Sequence, residues 1–368
     1  METVVLTDAK YRASIAAVRA LGRAGYRVVA LQGGEGNFPD PPVFSSRYAA
    51  QTRRINAAPE GPDYPDRLLE VLGEYGRPVL FCAGAATLNA VSRRREDFAG
   101  VCDFLISPPE VLDRLNDKET VHARCLEEGI PVPRQFDREP ETYPVVVKPR
   151  CGEKFGLKAG DRYAVARNPA EYRAAMAAMT RYDPRPVVQE KVEGDGAGVS
   201  LLLDRESRLV CALCHRRIRE FPASGGPSAC CESFYDGEMI GRAYRLLSSF
   251  GFTGMAMVEF KGERVLEVNP RVWGSFPMTQ AAGSPMACKY VRAAAGEKLE
   301  YEARDYETGV RMRFLLNDTA AMLDCLRHGQ AGKFFQGIGD VFRAREALSD
   351  REDPAPMRAY LRQTLLKR

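Results

Sequence analysis

The sequence predicts an α/β domain on a doubly wound parallel sheet, followed by a larger α+β unit. Three observations lead there. Residues 1 to about 108 alternate short apolar runs with helix-patterned segments, the signature of β-α-β units. The dipeptide Pro108-Pro109 then interrupts the chain. Beyond it the strands come in hairpins and the helices stand alone, the pattern of an α+β fold. The expected division is 1–108, 109–300 and a C-terminal extension over 301–368.

In the first unit, 3–7 reads as a buried strand. A helix follows with Ile15, Val18, Ala20 and Leu21 on its apolar side and Gly25 as its stop, then a strand over 27–31. The alternation continues with a helix over 66–75, a strand over 78–82, a helix from about Thr87 and a strand over 104–106. Gly33-Gly34-x-Gly36 follows the second strand and opens no helix, so it reads as a loop and not as a dinucleotide fingerprint. In the second unit the pattern predicts one helical segment over 109–128, strands over 143–149 and 163–166, and a helix over 169–179. Strands over 186–191, 199–203 and 209–214 come next, the last two joined by a turn at 204–208. A loop containing Ser224-Gly-Gly-Pro-Ser228 leads to a long helix over 236–250, and strands 254–260 and 264–268 close a hairpin. Residues beyond about 301 read as strand and helix without a motif.

A chain of 368 residues is too long for one ordinary core, and 45% hydrophobic with 28% charged residues is the balance of a globular protein. The net charge of +4 is too mild to argue for nucleic acid, and Arg93-Arg94-Arg95 reads as a solvated helix face. No apolar run approaches the ~18–20 residues of a membrane span, and the N-terminus lacks the features of a signal peptide. The expectation is a cytoplasmic protein with no membrane or nucleic-acid partner. Its ten cysteines are then expected to be reduced. Cys211 and Cys214 form a C-x-x-C, but the adjacent Cys230-Cys231 make a poor second pair, so no zinc site is expected.

The strongest chemical signal is Val265-Leu-Glu-Val-Asn-Pro-Arg271, whose Glu267 lies eight residues beyond a further strand carboxylate, Glu259. Alternation on a strand points Glu267 and Asn269 the same way, and a hairpin partner lays Glu259 beside them. A single strand Glu is usually a solvent-side residue. Here both lie in apolar runs, where an uncompensated charge is costly, and the set suits Mg²⁺. Lys148 ends an apolar strand next to a loop with Gly152, Gly156 and Gly160, an arrangement that also suits phosphate oxygens. A capping surface lysine is the plainer reading of Lys148 alone. Trp273 reads equally well as core or as pocket lining, and Cys151 as a bystander thiol.

Taken in order, Asn116-Asp117-Lys118, Pro144-Val-Val-Val-Lys148-Pro149, Gln189-Glu190-Lys191-Val192, Glu259 and Glu267-Val-Asn269-Pro-Arg271 resemble the ATP-grasp superfamily over roughly 110–290. The wording of His215-Arg-Arg-Ile-Arg-Glu220, Ser224–Ser228 and Asn269–Ser275 looks like its carboxylate–amine ligases, with biotin carboxylase more distant. The resemblance implies that Lys118 and Lys148 hold ATP phosphates and that the loop 151–160, with Gly152 and Gly156, closes over them. It places Glu190, Lys191 and Val192 beside the adenine. It gives one or two Mg²⁺, with Mn²⁺ as substitute, to Glu259, Glu267 and Asn269. Arg271 and Arg217 would face charge on the transferring phosphoryl group or activated acid. Small-molecule carboxylate and amine substrates and a homodimer are implied in the same way. The loop departs from the family in having few glycines and in carrying Cys151, Glu153 and Phe155. There is no biotin-acceptor sequence. A regulatory ATP-binding protein without catalysis, or an acceptor other than an amine, are the alternatives.

Overall fold

The computed structural model describes residues 2–151, 162–222, 226–327, 329 and 331–366. The loop positions Gly152, Glu153, Phe155, Gly156 and Gly160, together with Ser224 and Gly225, lie outside the described residues. The first unit contains β1 (Thr3–Leu6), α1 (Arg12–Arg23), β2 (Arg27–Gly33), a 3-10 turn (Pro42–Ser45), β3 (Ala49–Ile55), α2 (Tyr64–Gly73), β4 (Val79–Phe81), α3 (Ala85–Arg93) and α4 (Arg95–Ala99). Its four strands are parallel in the order β3-β2-β1-β4. Alternation sends Val4, Leu6, Val28 and Ala30 to the side of α1, where Ile15, Val18 and Leu21 cover them. Val5, Val29 and Leu31 face α2 through Tyr64, Leu68 and Leu72. Helices on both faces make the sheet doubly wound.

One expectation fails here. Residues 104–106 form no strand, and Asp103 makes only a single bridge to Val79. The backbone instead passes over the start of the second unit's main sheet. Leu105 accommodates Gly254 so closely that a Cβ on Gly254 would sit 2.5 Å from the Leu105 carbonyl oxygen, and the Leu105 amide donates to the Tyr290 hydroxyl at 3.3 Å. Apolar residues buried on both sides imitate a central strand without its partners. The edge strand β3 carries no sequence mark, because Gln51, Thr52, Arg53 and Arg54 put polar residues on both of its faces.

The expected single helix over 109–128 is two, α5 (Pro109–Asn116) and α6 (Lys118–Glu127). Asp117 is extended, and its carboxylate accepts from the Glu119 and Thr120 amides at 3.0 and 3.3 Å, so the chain restarts as a capped helix. A small antiparallel sheet follows in the order β6-β5-β7, from β5 (Val145–Lys148), β6 (Ala164–Ala166) and β7 (Val187–Glu190), with α7 (Pro169–Met179) on one face.

The main sheet has seven strands in the order β12-β11-β8-β9-β10-β13-β14. They are β8 (Gly196–Leu203), β9 (Leu209–Glu220), β10 (Ser228–Phe234), β11 (Gly254–Lys261), β12 (Arg264–Asn269), β13 (Arg311–Arg313) and β14 (Arg345–Glu346). β9 runs six residues past the expected strand, and β10 replaces part of the expected loop. The helices are α8 (Gly237–Ser248), α9 (Pro277–Ala281), α10 (Met286–Ala294), α11 (Leu315–Arg327), α12 (Ala331–Arg343) and α13 (Ala355–Leu366). α8 covers one face through Ile240, Ala243, Leu246 and Leu247. The opposite face packs Leu202, Leu213 and Met255 against Trp273, Phe276 and Tyr290 in the same cluster that holds α1. Trp273 is 2% exposed and lies edge-on to Phe276, a core position.

The chain beyond residue 300 is woven into the main sheet and reaches back to α1 of the first unit. β13 pairs with β10, and Arg219 of β9 bonds Asp318 of α11 at 2.7 Å and Asp340 of α12 at 2.5 Å. Arg19 of α1 reaches Asp353 at 3.0 Å. All ten cysteines are unpaired. Among the described residues no helix is long and apolar enough to cross a membrane.

Candidate functional site

The site is built on the β11–β12 hairpin, where the register sets Glu259 directly across from Glu267 and Met257 across from Asn269. Two carboxylates thus sit side by side on one face, two residues from an amide. Asn269 Nδ2 donates to Glu259 Oε1 at 3.0 Å. Burial pushes the Glu259 carboxyl above its usual range and Glu267 adds to this, while Arg217 opposes it. Burial acts on Glu267 in the same direction, but Lys118 and Lys148 outweigh it and hold that carboxylate below its usual range.

Three cations arrive from three separate elements. Lys118, the first residue of α6, places Nζ 3.3 Å from Glu267 Oε2. Lys148, at the end of β5, donates to the Leu266 carbonyl at 3.3 Å and so links the small sheet to β12. Burial and the nearby Lys118 lower it to about 8. Arg217 of β9 bonds Glu259 at 2.5 Å and Glu220 at 3.0 Å. Arg271, just past β12, donates to Asn269 Oδ1 at 3.3 Å and to the Val272 carbonyl at 3.0 Å.

Lys118 is itself held by residues that sequence reasoning did not single out. Arg150 clasps Asp117 with contacts of 2.5 to 2.9 Å. Its carbonyl accepts from the Lys118 amide at 3.2 Å, and its own amide donates to Asp183 at 2.7 Å. Of this clasp the sequence marks only Asp117, within Asn116-Asp117-Lys118, and neither Arg150 nor Asp183.

The proposed adenine border lies on the small sheet. The Glu190 side chain accepts from the Arg134 amide at 3.0 Å and stands 3.6 Å from Arg264. The Glu190 and Lys191 amides are engaged by the carbonyls of Arg134 and Pro144, at 2.9 and 3.0 Å. The Lys191 side chain pairs with Glu193, and Val192 is buried. The structure therefore brings together Lys118, Lys148, Arg217, Glu259, Glu267, Asn269 and Arg271. It leaves Glu190 at the end of β7 in the small sheet, with Lys191 and Val192 just past that strand, and Gly152 and Gly156 lie outside the described residues.

Behind Arg217, on the same face of β9, His215 is fully buried. Its Nε2 meets the Ser275 hydroxyl at 3.0 Å. The ring lies over Gly198, where a Cβ would fall 2.5 Å from His215 Cε1 and 2.9 Å from Met257 Sδ. Only glycine lets the imidazole lie across β8 beside the carboxylate pair.

A small sheet and a seven-stranded sheet facing each other, with cations from both converging on a carboxylate hairpin, define the class. Residues 115–275 match the ATP-grasp domain family, and the fold is an ATP-grasp domain preceded by a parallel α/β unit. Among solved structures the chain is similar to the biotin carboxylase domain of 2-oxoglutarate carboxylase from Hydrogenobacter thermophilus, solved as a dimer with MgADP, ADP and bicarbonate (16% identity, TM-score 0.62, 84% of this chain and 73% of that chain). It is similar to biotin carboxylase from Campylobacter jejuni in complex with β,γ-ATP (14% identity, TM-score 0.62, 84% and 74% covered). A third is N5-carboxyaminoimidazole ribonucleotide synthetase from Thermotoga maritima (15% identity, TM-score 0.55, 84% and 79% covered). At these identities the likeness is one of fold. No curated protein matches the sequence.

Burial, with Arg217 nearby, lowers His215 to about 3. The unfolded chain, with its histidine near the ordinary ~6.5, binds a proton that the folded chain refuses. The stability present above about pH 6.5 is therefore lost as pH falls toward 3, by up to about 1.4 kcal/mol per pH unit from this group. His215→Gln has no such proton to bind and is expected to flatten the loss between about pH 6 and 4. Urea unfolding across that range checks this, and equal slopes for the two proteins would contradict it.

Proposed function

We propose that the protein is an ATP-dependent carboxylate–amine ligase acting on amino acids or small peptides. The observation that carries this reading is the pair Glu259 and Glu267, partly buried side by side between Lys118, Lys148 and Arg217. The ATP-grasp fold and its carboxylase and synthetase neighbours support the same kind of reaction.

The donor set fits Mg²⁺. Two carboxylates with an adjacent amide supply hard oxygens, and among the described residues no cluster of three or more His, Cys, Asp or Glu competes with them. A cation there would complete its shell with water and phosphate oxygens, as Mg²⁺ prefers, and Mn²⁺ is the expected substitute. Glu259, Glu267 and Asn269 would hold it, and its chemistry is to neutralise charge on the β- and γ-phosphates.

In this reading Lys118 and Lys148 bind phosphate oxygens as point charges. The substrate carboxylate attacks the γ-phosphorus, and the bond to the bridging oxygen breaks to release ADP and leave an acyl phosphate. The amine then attacks the acyl carbon; the C–O bond to phosphate breaks, giving an amide, inorganic phosphate and a proton. Arg271 and Arg217 stabilise the charge that develops on the acyl oxygens, and Arg150 and Asp117 keep Lys118 in register.

The test incubates the protein with Mg-ATP and pools of amino acids and dipeptides, beside Glu267→Ala. The expected outcome is substrate-dependent ADP release with a product one water lighter than its summed substrates, both lost in the variant. ADP without an amide would redirect the reading to a non-amine acceptor. Mg-ATP binding without turnover on any pool would favour the regulatory alternative.

We also propose a homodimer joined through α11 and α12. Phe335, Ile338 and Phe342 follow one stripe of α12 and are 66%, 42% and 87% exposed, beside Leu323 and Leu326 of α11 at 49% and 42%. The stripe is apolar along its length, and a second copy presents the same self-complementary surface. Light scattering should report a dimer that Phe342→Asp converts to a monomer. A monomeric wild type would refute this.

A further inference from the structure

The oxygens that suit a metal at the hairpin are committed to other groups of the same chain. Glu259 Oε1 accepts from Asn269 Nδ2 at 3.0 Å, and Oε2 accepts from Arg217 at 2.5 Å. Lys118 Nζ stands 3.3 Å from Glu267 Oε2. Arg271 donates to Asn269 Oδ1 at 3.3 Å. The three proposed metal ligands and three of the proposed phosphate and acyl-phosphate cations are thus each other's partners.

Charge decides what such a site accepts. Lys118, Lys148, Arg217 and Arg271 meet Glu259, Glu267 and Glu220 there, four positive groups against three negative ones. A divalent cation set among these oxygens would lie a few ångströms from like charges, and such repulsion is strong where water is scarce. A triphosphate reverses the sign. It gives Lys118 and Lys148 oxygens of its own to bind, and it supplies further ligands to the metal.

The cations differ in where they can go. Arg217 already holds a second carboxylate, Glu220, at 3.0 Å, so it can release Glu259 without losing its partner. Its buried Nε has no hydrogen-bond partner among the described residues, which leaves a donor uncommitted on the same guanidinium. Gly196 of β8 lies beneath this pair, where a Cβ would come within 3.1 Å of Arg217 Cδ and 3.3 Å of Glu220 Oε1. Lys118 is held by its backbone, through the Arg150 carbonyl at 3.2 Å, and its long side chain can turn from Glu267 toward a phosphate.

We infer that Arg217, Lys118 and Arg271 guard the metal ligands, keeping a bare divalent cation out and admitting it only together with the triphosphate. The inference rests on the Mg-ATP reading of this site and adds its order of binding. As the nucleotide arrives, Lys118 passes from Glu267 to the phosphates, Arg217 falls back on Glu220, and the freed carboxylates take the metal. Arg217 and Lys118 are specificity residues for the metal in this scheme, in addition to the charges they present to substrate. Coupling of this kind is reciprocal, so metal and nucleotide strengthen each other by the same factor.

Mn²⁺ and the non-hydrolysable β,γ-imido analogue of ATP test it. Water-proton relaxation reports Mn²⁺ held on the protein, as distinct from Mn²⁺ free or on nucleotide in solution. The wild type should hold Mn²⁺ alone at least about tenfold more weakly than Mn²⁺ with the analogue. Arg217→Gln and Lys118→Gln should each tighten the binding of Mn²⁺ alone by about tenfold, because a positive charge is removed from beside its ligands. Glu267→Gln added to Lys118→Gln should abolish that gain, which places it at the hairpin. Lys118→Gln should also weaken the analogue in EDTA, a change opposite in sign that a loss of packing would not give. Melting curves establish that the variants are folded, and Lys118→Gln, on a different element, serves if Arg217→Gln does not fold. A wild type that holds Mn²⁺ equally well with and without the analogue, or folded variants in which Mn²⁺ alone binds no tighter, would overturn the inference. A wild type that holds no Mn²⁺ even with the analogue would overturn the Mg-ATP reading itself, and the inference with it.

Discussion

Two carboxylates placed side by side inside apolar strands repel each other and lose hydration, and everything around Glu259 and Glu267 answers that cost. Their pairing across β11 and β12 leaves them no room to separate. The charge is offset by Lys118 from α6, Lys148 from β5 and Arg217 from β9. No single secondary element could supply three cations converging from different sides. The small sheet, the break between α5 and α6 and the long central strand β9 are the means by which the chain delivers them.

That dependence explains features that otherwise look incidental. Arg150 binds Asp117 and lends its carbonyl to the Lys118 amide, so the residue after the Lys148 strand positions the other lysine. Glu220 shares Arg217 with Glu259, so the guanidinium is divided between two carboxylates. Gly198 gives up a side chain so that His215 can lie beside the pair, and Ser275 holds the ring there. The site has a cationic surround that a bound triphosphate would share with the carboxylates.

Much of this was legible in the sequence where the signal is local. Glu259 and Glu267 stand out because they interrupt apolar strands, and the hairpin then fixes their register. α7 was readable from Asn168 as cap and Pro169 as first residue. β10 was not, because Ser228–Phe234 is made mostly of small residues with no β-branched position. The split at Asp117 was hidden by helical periodicity on both sides of it. Contacts such as Arg217 with Glu259 and Arg219 with Asp318 join residues 42 and 99 positions apart. Their partners depend on strand order, which local pattern does not contain.

The central claim is that the Glu259–Glu267 face is where a divalent cation and the triphosphate meet. Calorimetric titration of ATP into the wild type and into Glu259→Gln/Glu267→Gln, with and without Mg²⁺, tests it most directly. Binding by the wild type is expected to strengthen at least about tenfold with Mg²⁺, and the Mg²⁺ dependence is expected to vanish in a folded double variant. A double variant that binds Mg-ATP like the wild type would contradict it.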